Sequence, residues 1–277
     1  MISGGIKFFE QNKCLLNNGG TAEVTTGEVV QDFLIDVNPI TFWNSIDSTD
    51  LITEDIIIRF TEAEIDRIFL LDHNFKQYTI KYWDGATYQD FASVVGITGA
   101  LGGGISETTF AKDTSYYEFT AVTTGRIKIS VLKTQVVDDQ KYLSQVVVTK
   151  ELGTLDGFPL VNNIKHSRNS NSVEMLSGKS LITKSYESFS CKVKFDKYPA
   201  SYADDLDLMF SLFDSQQPFL VWLCGGKYST TYFKYPLRGF RLKDLYQCQI
   251  AGDLPVEFYK SVYTLPVTAE IMLQEHV

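Results

Sequence analysis

Asp36-Val37-Asn38-Pro39-Ile40-Thr41-Phe42-Trp43 leads into Ile56-Ile57-Ile58-Arg59-Phe60, then Arg67-Ile68-Phe69-Leu70-Leu71, then Tyr78-Thr79-Ile80-Lys81-Tyr82-Trp83 and the turn Asp84-Gly85. Polar and apolar residues alternate through the strand segments, the period of a strand with one face buried. The Asp-Gly pair marks a tight turn. Further segments follow at Tyr116-Tyr117-Glu118-Phe119, Arg126-Ile127-Lys128-Ile129-Ser130-Val131 and Gln145-Val146-Val147-Val148. Short alternating strands divided by turn signals predict an all-β sandwich over residues 23–150. Such a unit suits surface recognition, and nothing comparable in the sequence points to catalysis.

The rest of the chain divides around this unit. Residues 1–22 read as a short lead, with Asn17-Asn18-Gly19-Gly20 as a turn cluster and Ile6-Lys7-Phe8-Phe9 as an edge strand or a contact with a neighbour. Residues 151–178 are polar and turn-rich, through Ser167-Arg168-Asn169-Ser170-Asn171-Ser172, and read as a linker or arm. Residues 179–277 read as a smaller α+β unit. Residues 179–195 alternate like a strand pair. Ser201-Tyr202-Ala203-Asp204 opens a helix, and Leu206, Met209, Leu212 and Phe213 recur at helical spacing. Phe219-Leu220-Val221-Trp222-Leu223 is a continuous apolar strand, and residues 228–235, 240–245 and 266–274 are further strands. The fold class is therefore mainly β: an N-terminal jelly-roll sandwich and a C-terminal β-rich unit with one helix.

Net charge of −9 with no long Lys/Arg run argues against direct nucleic-acid binding. No apolar run reaches the roughly 18 residues that span a bilayer, so no membrane insertion is expected. No basic segment followed by an apolar one opens the chain, so a soluble protein without a cleaved leader is expected. Cys14, Cys191, Cys224 and Cys248 lie far apart, and His73, His166 and His276 supply no tight pairs, so a zinc site is not expected. Reduced, non-catalytic cysteines are expected, with Cys224 a small buried hydrophobe in its apolar strand.

The Asp36-x-Asn38-x-x-Thr41-x-Trp43 stretch resembles the galactose-binding-like (discoidin, or coagulation factor 5/8 C-type) jelly-roll family. Ile68-Phe69-Leu70, then Tyr78 through Gly85 with Tyr88 after it, and Arg126-Ile127-Lys128-Ile129 look similar to its middle and late strands. The resemblance covers residues 23–150. It implies a structural calcium held by the Asp36–Thr41 loop and a late Glu, but Gln145 stands at that late position, so no cofactor and no metal are expected. The second unit resembles β-rich tail and baseplate proteins of bacteriophages, which often combine a docking domain with such a jelly roll.

Candidate chemistry is sparse. His73, between Asp72 and Asn74, reads as a polar turn residue, because neighbours on a strand point to opposite faces. Asp138-Asp139 and Asp204-Asp205 read as solvated or capping acids. Residues 96–104 hold five glycines but no Lys, so a flexible loop is expected, not a phosphate cradle. Trp222 reads as core and Trp43 as packing. The ligand-binding candidates are Asn74, Trp83 and Tyr88, since aromatic rings offer apolar faces to a sugar.

The sequence thus predicts a non-enzymatic structural protein of a phage tail or baseplate, a ring or adaptor component assembled in the host cytoplasm. Its expected partners are other tail proteins and copies of itself. The alternative is a carbohydrate-binding module that attaches to cell-surface glycans.

Overall fold

The computed structural model describes residues 6–25, 31–36, 41–96, 99–155, 160–174, 180–198, 203–215, 217–222, 245–251 and 267–275. In chain order, β1 is Ile6–Phe9, β2 Thr21–Val24 and β3 Trp43–Asn44. β4 runs Glu54–His73, β5 Phe75–Trp83, β6 Tyr88–Asp90, β7 Val95–Gly96, β8 Gly99–Ala100 and β9 Ile105–Glu107. β10 is Ser115–Thr134, β11 Tyr142–Thr149, β12 Glu151–Leu155, β13 Leu160–Glu174 and β14 Ser180–Tyr198. The helix α1 spans Ala203–Ser215, and β15 Phe219–Trp222, β16 Leu245–Ala251 and β17 Val267–Glu275 complete the elements. The fold is mainly β, with antiparallel sheets and α1 as the α-helix among the described residues. Two compact units divide it, the first built on Phe9–Glu151 and the second on Leu152–Gly225, Tyr246–Val277 and Gly4–Phe8.

In the first unit, β4 and β10 are each 20 residues long and pair with one another. The sequence suggested two short strands in each, because the polar run Thr61-Glu62-Ala63-Glu64 interrupts the β4 pattern. The run stays extended and faces solvent, while register shifts at Glu118/Val122 and Thr124/Arg126 bend the pair. Each long strand therefore serves two layers. In one layer the first half of β4 pairs with β2 and the second half of β10 pairs with β5, which carries β6 and β9. In the other, the second half of β4 pairs with β11 and the first half of β10 with β7. Ile56, Ile58, Ile127, Ile129 and Ile80 from the first layer meet Ile68, Leu70, Tyr117, Val146 and Val148 from the second in one core. Burying each such aliphatic side chain stabilises by roughly 1.5–3 kcal/mol.

The outer faces differ. Phe69, Leu71, Tyr116 and Val147 are buried behind the second layer, where Phe9 packs edge-on against Phe69. On the first layer Arg59, Lys81, Arg126 and Lys128 alternate with the inward residues and stay half-exposed. The glycine-rich segment expected as a loop carries the β7–β8 pairing, with Gly102 and Gly104 at positive φ.

The second unit is a seven-stranded sheet in the order β12-β1-β15-β16-β17-β14-β13. β1 therefore lies inside the sheet, not at an edge, because all four of its residues are buried. Residues 151–178, expected as a linker, contain β12 and β13. Residues 179–195, expected as a strand pair, belong to the single strand β14, whose hairpin partner is β13. Polar composition misled here because a two-stranded ribbon satisfies its backbone hydrogen bonds without an apolar face. Met209 and Leu212 of α1 pack on the sheet with Ile6, Phe8, Val221, Ile271 and Leu273. The expected strands at 228–235 and 240–244 lie outside the described residues.

A Cβ placed on Gly125 would sit 2.9 Å from the Phe60 carbonyl oxygen, which is backbone and cannot swing away. The Gly125→Ala variant is expected to lose about 1–3 kcal/mol of stability. Urea unfolding should show a lower midpoint; an unchanged midpoint would mean that the bulge does not need glycine.

Candidate functional site

The half-exposed layer ends in a hairpin built by its turn. Asp84 Oδ1 accepts the backbone N–H groups of Ala86 at 2.8 Å and Thr87 at 2.7 Å, and its other oxygen accepts Gln89 Nε2 at 2.9 Å. These bonds, Thr87 first, hold the Asp84 carboxyl below the usual carboxylate range. Gly85 takes φ +104°, which a residue with a Cβ rarely adopts. The turn sets Trp83 opposite Tyr88, and the two rings meet edge to face with centroids 5.1 Å apart.

Two cations flank the pair. The Arg126 guanidinium lies over the Trp83 ring at 5.0 Å, and Lys128 Nζ lies over the Tyr88 ring at the same distance. The bulge at Gly125 aims Arg126. Buried Thr124 accepts the Arg126 N–H at 3.1 Å, and its hydroxyl stands 2.8 Å from the Trp83 carbonyl oxygen. Both cations come from β10 and the two rings from β5 and β6, so the platform spans three paired strands. Of the ligand candidates, Trp83 and Tyr88 are brought together here. The sequence reading missed Arg126 and Lys128, although their period-two spacing places both on one face of β10.

Asn74 is elsewhere and unavailable. It is buried, donates to Gln140 O at 2.6 Å and accepts the Tyr142 N–H at 3.0 Å, so its amide ties two chain segments together. Trp43 and Trp222 are both buried. Asp138 braces a loop by accepting the Asp50 N–H at 2.9 Å.

His73 is not a polar turn residue. It is fully buried, with Nε2 2.7 Å from Ser115 Oγ. The pair does not act as a base and nucleophile. The Phe75 N–H donates to Nδ1 at 3.0 Å, so the ring proton sits on Nε2 and points at the serine. The hydrogen bonds then run one way, from Ser115 to Tyr78 at 2.6 Å, Tyr78 to Tyr117 at 2.5 Å and Tyr117 to Glu107 at 3.2 Å. Burial also pushes the Cys14 thiol up, away from the reactive thiolate. The Cys191 side chain, Cys224, the His166 side chain and His276 lie outside the described residues.

The calcium ligands implied by the family resemblance are incomplete. Thr41 donates to Asp36 at 2.9 Å, Asn38 lies outside the described residues, and Gln145 carries a buried amide at the position where the family has a glutamate. Calcium takes about six to eight oxygen ligands. No group of three or more His, Cys, Asp or Glu among the described residues could hold a metal.

No family model matches this chain, and no curated protein matches it. Solved structures do. A chitosan-binding module of a chitosanase/glucanase from Paenibacillus sp. IK-5 aligns at 17% identity and TM-score 0.40, covering 50% of this chain and 98% of that one. CpGH89CBM32-5 from Clostridium perfringens, in complex with GalNAc-β-1,3-galactose, aligns at 14% identity and TM-score 0.37, covering 49% and 97%. The family 32 module of C. perfringens NanJ, in complex with galactose, aligns at 14% identity and TM-score 0.38, covering 50% and 98%.

Burial lowers the His73 pKa from 6.5 to about 3. Below pH 6.5 the unfolded chain therefore binds a proton that the folded chain refuses. Stability is expected to fall by up to about 1.4 kcal/mol per pH unit from pH 6.5 toward 3 through this group. Denaturant titrations across that window should show the slope, and His73→Gln should flatten it. An equal slope in the variant would assign the loss to other groups.

Proposed function

We propose that the first unit is a glycan-binding module and that Trp83 and Tyr88 form its platform. One observation carries this reading: two aromatic rings stand side by side, half-exposed, on a hairpin whose turn and bulge fix them before any ligand arrives. The C–H face of a pyranose packs on such rings, while its hydroxyls reach the polar groups around them. Ordering is already done, so little of the binding energy is spent on it. Asn74 has no part in this site.

Screening on a glycan array, then titration of the hits, tests the reading. Trp83→Ala is expected to weaken binding by about tenfold or more. Its unfolding midpoint should change little, since the ring is not in the core. Undiminished affinity in the variant would remove the platform from the function.

A second reading, a ring or adaptor component of a phage tail or baseplate, would use β13 and β14 as its contact element. Among the described residues β14 pairs with β17 only from Ser190 onward, while its earlier part pairs with β13 alone. Paired residues 167–174 alone run about 25 Å as a two-stranded ribbon. Ribbons of this kind are marginal by themselves and gain from strand or surface contacts with a partner. Replacing residues 167–188 by a short turn should abolish self-association in sedimentation velocity. Association that survives the deletion would sink this reading.

A further inference from the structure

The charged groups on the platform's face are not equivalent. Arg59 forms a two-bond ion pair with Glu23, at 3.0 and 2.8 Å. Lys81 pairs with Asp90 at 3.2 Å and Lys128 with Asp55 at 3.5 Å. Asp55 also accepts Ser130 Oγ at 2.5 Å, and Asp84 is taken up by its turn. Arg126 forms no ion pair among the described residues. Glu23 feels its charge, but more weakly than the hydrogen bond from Arg59. The face therefore holds one cation whose charge is committed only to an indole ring.

We infer that the platform takes a glycan containing a hexuronic acid, with the carboxylate held by Arg126. This rests on the glycan-binding reading above. The Arg126 guanidinium carbon lies 5.0 Å from the Trp83 ring centroid, and the group's N–H donors all lie in one plane and point outward along its edge. That edge matches a planar carboxylate through two parallel hydrogen bonds. Trp83 thus does two things: it offers apolar surface to the sugar and keeps the arginine head beside that surface. The backbone fixes the spacing, because Thr124 bonds the Arg126 N–H and stands beside the Trp83 carbonyl. A neutral sugar would leave the fork unused.

Matched trios of oligosaccharides test this: one of uronic acids, its carboxyl-reduced neutral counterpart, and the neutral counterpart sulfated. The protein is expected to bind the uronic member at least about tenfold more tightly than the neutral one. Arg126→Gln should erase that difference, while Arg126→Lys should restore part of it through a single hydrogen bond. Equal binding of uronic and neutral members, lost in Trp83→Ala, would overturn the uronate assignment and keep the platform. A preference for the sulfated member, or a uronate preference that survives Arg126→Gln, would also overturn it. If no member binds, and nothing on a broader array does, the glycan reading falls with it.

Discussion

The pairing of β4 with β10 is the constraint on which the first unit depends. Each strand contributes to both layers, so one register decides which residues face the shared core in both halves. A slip by one residue would turn Ile127 and Ile129 outward and bring Arg126 and Lys128 into the core. The two register shifts do not loosen this control. They let the pair bend while the inward set stays inward on both sides of the bend.

The layers then diverge because only one is covered on its outer side. Phe69, Leu71, Tyr116 and Val147 commit the second layer to packing on both faces. The first is left open on that side, where the outward residues are long, charged or aromatic. The cations there lie on a protein of net charge −9, yet three of the four are matched by nearby acids. The face is better described as a lattice of paired charges around one aromatic pair than as a basic patch.

Much of the fold was legible because its strands keep period two and its key hairpin carries its own turn chemistry. Asp84-Gly85 marks the turn, and Trp83 and Tyr88 on either side of it are ligand candidates because their rings offer apolar faces. The continuity of β4 was not legible, since Thr61 to Glu64 look like a loop unless the partner strand is known. His73 and Asn74 read as surface residues because they are polar. Their partners, Ser115 for one and Gln140 with Tyr142 for the other, come from distant parts of the chain. Arg126 was hidden for a similar reason: the ring it lies over, Trp83, is on the neighbouring strand. The strands within 151–178 were hidden because a ribbon needs no apolar stripe.

The one-way chain from His73 to Glu107 has a consequence for how this core can vary through evolution. Every hydroxyl in it accepts from one neighbour and donates to the next, and the alternatives are few. Losing Tyr78 alone would remove two links of the chain in a dry interior and leave Ser115 and Tyr117 with only each other on that side. Exchange of the whole set for apolar residues of similar shape carries no such penalty. The sequence space around this core is therefore a pair of islands, one polar and one apolar, separated by single-step intermediates that fold poorly.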